Sequence, residues 1–168
     1  MLKTIIALLG VIIMVLMMPV FDFWSGDQRF SPRLRRFFRK VPMLTLIAYV
    51  LLNLTMTLLC RTPGTHSQVT LSLLEPFQRA AARPEEAFSI LEGLFQNVLL
   101  FLPLGYLLPM ACPRIKNPLA LLAGSLFTAA IELCQLVFGM GWFDVNDLLY
   151  NVIGMLCGLI LIRVQQKE

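Results

Sequence analysis

"DVNDLLYNVIGMLCGLILI", residues 144–162, joins two carboxylates and two carboxamides to an almost unbroken hydrocarbon run. The stretch is long and apolar enough to enter a bilayer, yet it opens with the residues that cost most to bury there. The reason for that opening decides both the fold and the site.

The whole chain shares the character of this segment. Its 168 residues are 58% hydrophobic and only 14% charged, with mean hydropathy +0.76. A soluble domain is about half apolar and about a quarter charged. These values imply one integral membrane domain, residues 1–168, with little chain outside the bilayer. The net charge of +4 speaks of topology more than of nucleic acid, since no aromatic-interleaved basic surface accompanies it. Cys60, Cys112, Cys134 and Cys157 are far apart and lie in or beside apolar runs. They read as small buried hydrophobes, with neither disulfide nor zinc spacing.

Five apolar stretches are near the ~20 residues that a spanning helix needs. They run over 4–24, 41–60, roughly 94–111, 118–138 and 147–164. The expected fold is an all-α, polytopic membrane helix bundle of about five transmembrane helices. Within the 61–92 loop, "RPEEAFSILEGLF" (83–95) puts Pro84 and two Glu at a helix start, with Ala87, Ile90, Leu91 and Leu94 on one face. That pattern predicts a short outer interfacial helix leading into the third span. The first stretch has no clear small-x-small cleavage site and is expected to be retained.

Lys and Arg fix the expected orientation. With five spans, the 25–42 loop, the 112–117 loop and the C-terminus share one side and hold ten basic residues, against four on the other (Lys3, Arg61, Arg79 and Arg83). This predicts an N-terminus outside and a C-terminus in the cytoplasm. The Arg-rich 25–42 loop then suits anionic lipid.

In that orientation the polar residues of several spans fall at one depth, toward the outer leaflet. Ser125, Thr128, Glu132 and Gln135 are spaced three, four and three apart and form one helical stripe. Asn97 lies near the outer start of the third span, Asp144, Asp147 and Asn151 at that of the fifth, and Arg61 at the outer end of the second. Buried charges and amides cost several kcal/mol unless paired or wet. Gathering them suggests a shared outward-facing pocket, with binding candidates Arg61, Asn97, Glu132, Gln135, Asp144, Asp147 and Asn151. The plainer alternative makes Asp144 and Asp147 helix N-caps and Asn151 an interhelical hydrogen bond. Glu132, inside an apolar helix, is the harder residue to explain as structure alone. Gly154 and Gly158 form a G-x-x-x-G that permits close helix approach, and Pro103 is expected to kink the third span. Trp142 and Phe143 suit the outer interface, and His66 reads as a solvated loop residue. No catalytic-serine, zinc-protease or metal-ligand motif is present. No metal or cofactor is expected, although three carboxylates and water could in principle hold a hard cation.

Three ordered motifs resemble the VanZ-like family. They are "NVLLFLPLGYLLP" (Asn97, Phe101, Pro103, Leu104 and Gly105), "SLFTAAIELCQ" (Ser125, Ile131, Glu132 and Gln135) and "FDVNDLLYNVIGMLCG" (Asp144, Asp147, Asn151, Gly154 and Gly158). Arg61 and "LLEPF", ending at Phe77, resemble the segments that precede them. The resemblance covers about 45–162, leaving 1–44 as a first transmembrane helix and basic cytoplasmic loop. The family often has an Arg before the first Asp of the last motif; here Gly141 holds that place, which makes Arg61 the expected partner of the acids.

The resemblance implies a bacterial plasma-membrane protein acting at the cell envelope, in a family named for a member linked to low-level teicoplanin resistance. Its implied partners are membrane lipids and a lipid-linked cell-wall precursor or glycopeptide, with no nucleic acid. Two functions remain open. One is a non-enzymatic protein that binds an envelope component or alters antibiotic access to it. The other is an intramembrane enzyme acting on a lipid headgroup, with Glu132 as base and Asp144 or Asp147 holding a metal or polarising the substrate.

Overall fold

The computed structural model describes residues 17–20, 23, 24, 26–61, 64 and 66–165. The first expected span falls almost wholly outside them. Among the described residues four helices are long and apolar enough to cross a membrane: Pro32–Leu59, Ala87–Ala111, Asn117–Val137 and Val145–Gln165.

The first is built in pieces. Helix α1 (Pro32–Phe38) is capped by the Ser31 hydroxyl. It occupies part of the basic segment read as loop. Helix α2 (Val41–Leu54) continues through a π-helical stretch, Thr55–Leu59. Strand β1 (His66–Thr70) and helix α3 (Glu75–Ala82) follow. Helix α4 then runs unbroken over Ala87–Ala111, with Pro103 and Pro109 inside it. Helix α5 (Asn117–Val137), strand β2 (Met140–Asp144) and helix α6 (Val145–Gln165) complete the order. At about 1.5 Å per residue, the 21-residue α5 and α6 are each about 31 Å long, matching a hydrocarbon core.

Two expectations about the 61–92 segment are corrected. The apolar face of Ala87, Ile90, Leu91 and Leu94 belongs to the first turns of the spanning helix α4, not to a separate interfacial helix. The separate short helix is α3, one motif earlier, with Pro76 in its first turn. His66 begins a strand instead of lying in a loop. Strand β1 pairs in parallel with β2, from His66 opposite Met140 to Thr70 opposite Asp144. The expectation for the Trp142 side chain lies outside the described residues.

The bundle is apolar outside, and its interior combines a hydrophobic core with buried polar side chains. On α5, Leu119, Leu122, Leu126 and Leu133 are exposed, whereas Ala120, Gly124, Thr128, Ile131, Glu132 and Gln135 are buried. That is the distribution expected of a helix whose outer face meets lipid.

Helices α4 and α6 run parallel and touch backbone to backbone. A Cβ on Gly154 would strike the Val98 carbonyl, and one on Gly158, a turn later, the Leu102 carbonyl. From the other side, Gly105 lies against the Met155 carbonyl. At the far end of α5, Gly139 takes φ +60°, a left-handed conformation suited to glycine, and turns the chain into β2.

These contacts generate a test. Gly154→Ala and Gly158→Ala should each destabilise the purified protein by about 1–3 kcal/mol, because a fixed carbonyl must move. Gly124→Ala should cost less, since its Cβ meets only the flexible end of Met155. Melting temperatures of the three variants in one detergent check the order.

Candidate functional site

The polar residues cluster at the end of the bundle where α4 and α6 begin and α5 ends. Antiparallel packing of α5 on α6 sets their levels. Asn151 Nδ2 donates to Thr128 Oγ1 at 2.7 Å in the buried interior. One turn toward the helix ends, Glu132 comes level with Asp144 at the start of α6. Asp147 and Arg61 are close enough to act electrostatically on Glu132.

Helix α4 joins the same layer through Asn97, whose Nδ2 donates to Asp147 Oδ1 at 2.6 Å. Gln135 reaches the second span, donating to the Thr57 carbonyl at 3.0 Å. The π-helical stretch that contains Thr57 is therefore held directly to α5. Asp144 accepts at Oδ1 from both the backbone N–H and the side-chain amide of Asn146, each at 2.8 Å, in the geometry of a helix-entry cap.

Of the seven expected residues, Asn97 and Asp147 share a hydrogen bond, Glu132, Asp144 and Asp147 lie within electrostatic reach of one another, and Gln135 and Asn151 bond instead to Thr57 and Thr128. Arg61 corrects the expected ion pair with the acids. It is exposed, and its Nη1 donates to the Met140 carbonyl at 3.5 Å. Its charge acts on Glu132 and Asp147 through space.

Several contributors escaped sequence reasoning. Asn146 is fully buried and ties the start of α6 to the Ser72 carbonyl at 2.9 Å. Tyr49 donates its hydroxyl to the Leu100 carbonyl and accepts from Asn53 Nδ2 at 3.1 Å. Asn53 was the detectable signal, an amide in the middle of an apolar span.

An open cleft of about 490 Å³ adjoins this layer. Glu75, Pro76 and Arg79 of α3 form one wall, and Ser89, Gly93 and Asn97 of α4 another, with Asp144 and Asp147 facing them. Glu132, Gln135 and Asn151 stand behind the wall rather than on it. At the rim, Arg79 pairs with Glu75 at 3.3 Å and Arg83 with Glu86 at 3.0 Å. Asp144 and Asp147 have no such ion pair among the described residues. Within the layer, Glu132 Oε2, Gln135 Oε1 and Asn151 Oδ1 are buried without a donor. Buried acceptors without a donor therefore gather at this end of the protein among the described residues. Among the described residues no three His, Cys, Asp or Glu side chains are grouped closely enough to hold a metal ion.

One family model matches residues 4–166 of the chain, a range that includes every residue of this layer. The chain belongs to the VanZ/LLP1 family. No curated protein and no solved structure matches it. In this VanZ/LLP1 protein the Asn97, Glu132 and Asp147 motifs, far apart in sequence, meet in one layer.

The Thr128–Asn151 contact yields a second test. Thr128→Val or Asn151→Leu alone leaves a buried polar partner unpaired, whereas the double variant removes both. The coupling between them should be about 0.6–1.7 kcal/mol, as for interhelical hydrogen bonds in other membrane bundles. A double-mutant cycle on unfolding free energy measures it.

Proposed function

We propose that this VanZ/LLP1 membrane protein acts at the outer face of a bacterial plasma membrane, where it binds a lipid-linked or cell-wall component without transforming it. The observation that carries the proposal is the acceptor-rich cleft at the mouth of the buried polar layer. Its deep wall is Asp144 and Asp147, and acids without cationic partners favour ligands rich in N–H and O–H donors. Sugar hydroxyls and ammonium groups meet that requirement; a bare phosphate does not. Ten basic residues on the opposite side against four on this side support an outward-facing cleft, with the C-terminus in the cytoplasm.

A lipid-linked ligand also suits the surroundings of the cleft. Leu74, Phe77 and Phe88 beside it are exposed, as expected of side chains dipping into the outer leaflet next to a headgroup site. Binding there would alter access of a glycopeptide to its target, the resistance-like role the family resemblance implies.

Mass spectrometry of lipids co-purified with the protein tests this reading. Wild-type protein should carry a lipid with a hydroxyl- or amine-rich headgroup. Asp147→Asn should reduce its occupancy about tenfold or more, the effect of losing a charge-assisted hydrogen bond. Gly93→Leu should do the same by filling the cleft, at a position where an added Cβ meets nothing within 4 Å. Both variants should lose any protection against teicoplanin that the wild type confers. Undiminished lipid occupancy in both would place the ligand site elsewhere.

A further inference from the structure

A second site lies at the other end of the bundle. A groove of about 250 Å³ opens between the first turns of α5 and the last turns of α6. Its sides are aliphatic, formed by Pro118, Leu121, Leu156 and Ile160, and its head is polar, formed by Asn117 and Arg163. With its amide oxygen turned toward the guanidinium, Asn117 accepts from Arg163 Nε and, at 3.0 Å, from Nη2. That contact fixes the fork while using two of its five N–H donors.

Among the described residues nothing compensates the charge at the head. No carboxylate lines the groove, and none among the described residues forms an ion pair with Arg163. Lys116 immediately precedes α5, whose first turn has no acidic residue and no side-chain cap. Because α5 and α6 each match the hydrocarbon thickness, Asn117 and Arg163 stand at the level of the lipid phosphates, and Leu121 and Leu156 at that of the acyl chains.

We propose that this groove seats one anionic phospholipid of the surrounding leaflet. Its phosphate takes the free edge of the Arg163 guanidinium, which matches two phosphate oxygens at once. One acyl chain lies along Leu121, Leu156 and Ile160. Basic recesses between transmembrane helices are suited to such headgroups. The site is independent of the acidic cleft, which lies a full membrane thickness away and favours the opposite charge.

Native mass spectrometry of the full-length protein, delipidated in detergent and titrated with phosphatidylglycerol, phosphatidylcholine or inorganic phosphate, tests the proposal. Phosphatidylglycerol should bind at least about fivefold more tightly than phosphatidylcholine, the effect of about one juxtamembrane cation. Arg163→Gln should remove that preference. Ile160→Trp, at an exposed position on the groove wall, should weaken both lipids by obstructing the acyl path. Arg33→Gln with Arg36→Gln removes the separate basic cleft of α1, and in that background the effect of Arg163→Gln should persist. Lipid-free melting temperatures of the variants, within a few degrees of wild type, show that they fold; should Arg163→Gln melt lower, Arg163→Lys replaces it and should still weaken the preference by loss of the fork. Wild-type phosphatidylglycerol affinity in the folded Arg163 variant would overturn the proposal. So would equal binding of inorganic phosphate, which would indicate a free-anion site. A change of oligomeric mass in Ile160→Trp without a change in lipid binding would assign the groove to a second copy and overturn it too.

Discussion

The backbone contact between α4 and α6 governs the rest of the structure. Glycine at 154 and 158 lets the Val98 and Leu102 carbonyls lie directly against the facing helix, closer than any side chain allows. Contacts one turn apart on both helices hold them in a single parallel register. That register brings Asn97 beside Asp147, and hence one cleft wall beside the other. A helix rotated or shifted by one residue would break the Asn97–Asp147 bond and turn Asp147 toward lipid. The glycine contact is therefore a condition for the site as well as for the bundle.

The polar layer follows from a second constraint. In hydrocarbon, each amide or carboxyl must find its partner inside the protein. Asn151, Gln135 and Asn97 each find one acceptor on another helix, so the layer ties all four described spans together. The satisfaction is partial, because several buried oxygens keep no donor. A bundle selected only for stability would replace such groups with aliphatic ones. Their retention beside a cleft is the pattern of a site maintained at some expense in stability.

Much of this was legible in the sequence because it rests on local periodicity. The 125–128–132–135 stripe needed only helical spacing to predict its common face, and the apolar runs placed the C-terminal ends of the four described spans and both ends of α5 and α6 closely, whereas the first two described spans begin well before their runs, at Pro32 and Ala87. What was not legible depends on distant pairing. Strand β1 meets β2 more than 70 residues away along the chain, and neither five-residue strand carries enough alternation to announce itself. The start of α4 was misassigned because Pro84 and two Glu resemble a helix start, yet the helix begins at Ala87, after the turn they form. Arg61 was expected to pair with the acids because Gly141 stands where the family often has an arginine. Its position just past the end of the second span places it beside the exposed Met140 carbonyl instead. Asn146 was hidden between two aspartates whose capping role drew the attention, although its own amide reaches Ser72.

The central claim is that Glu132 serves the site and does not hold the helices together. It is 3% exposed, one carboxylate oxygen has no donor, and its α5 neighbours Thr128 and Gln135 already join the helices. The most direct measurement is the melting temperature of Glu132→Leu in the membrane-extracted protein, with Glu132→Gln as the isosteric control. The account predicts that both variants melt at or above the wild-type temperature, since leucine gains burial where the carboxylate lacked a partner. A fall of more than about 4 °C in Glu132→Leu alone, on the order of 1 kcal/mol or more for a chain of this size, would make Glu132 a structural tie and contradict the account.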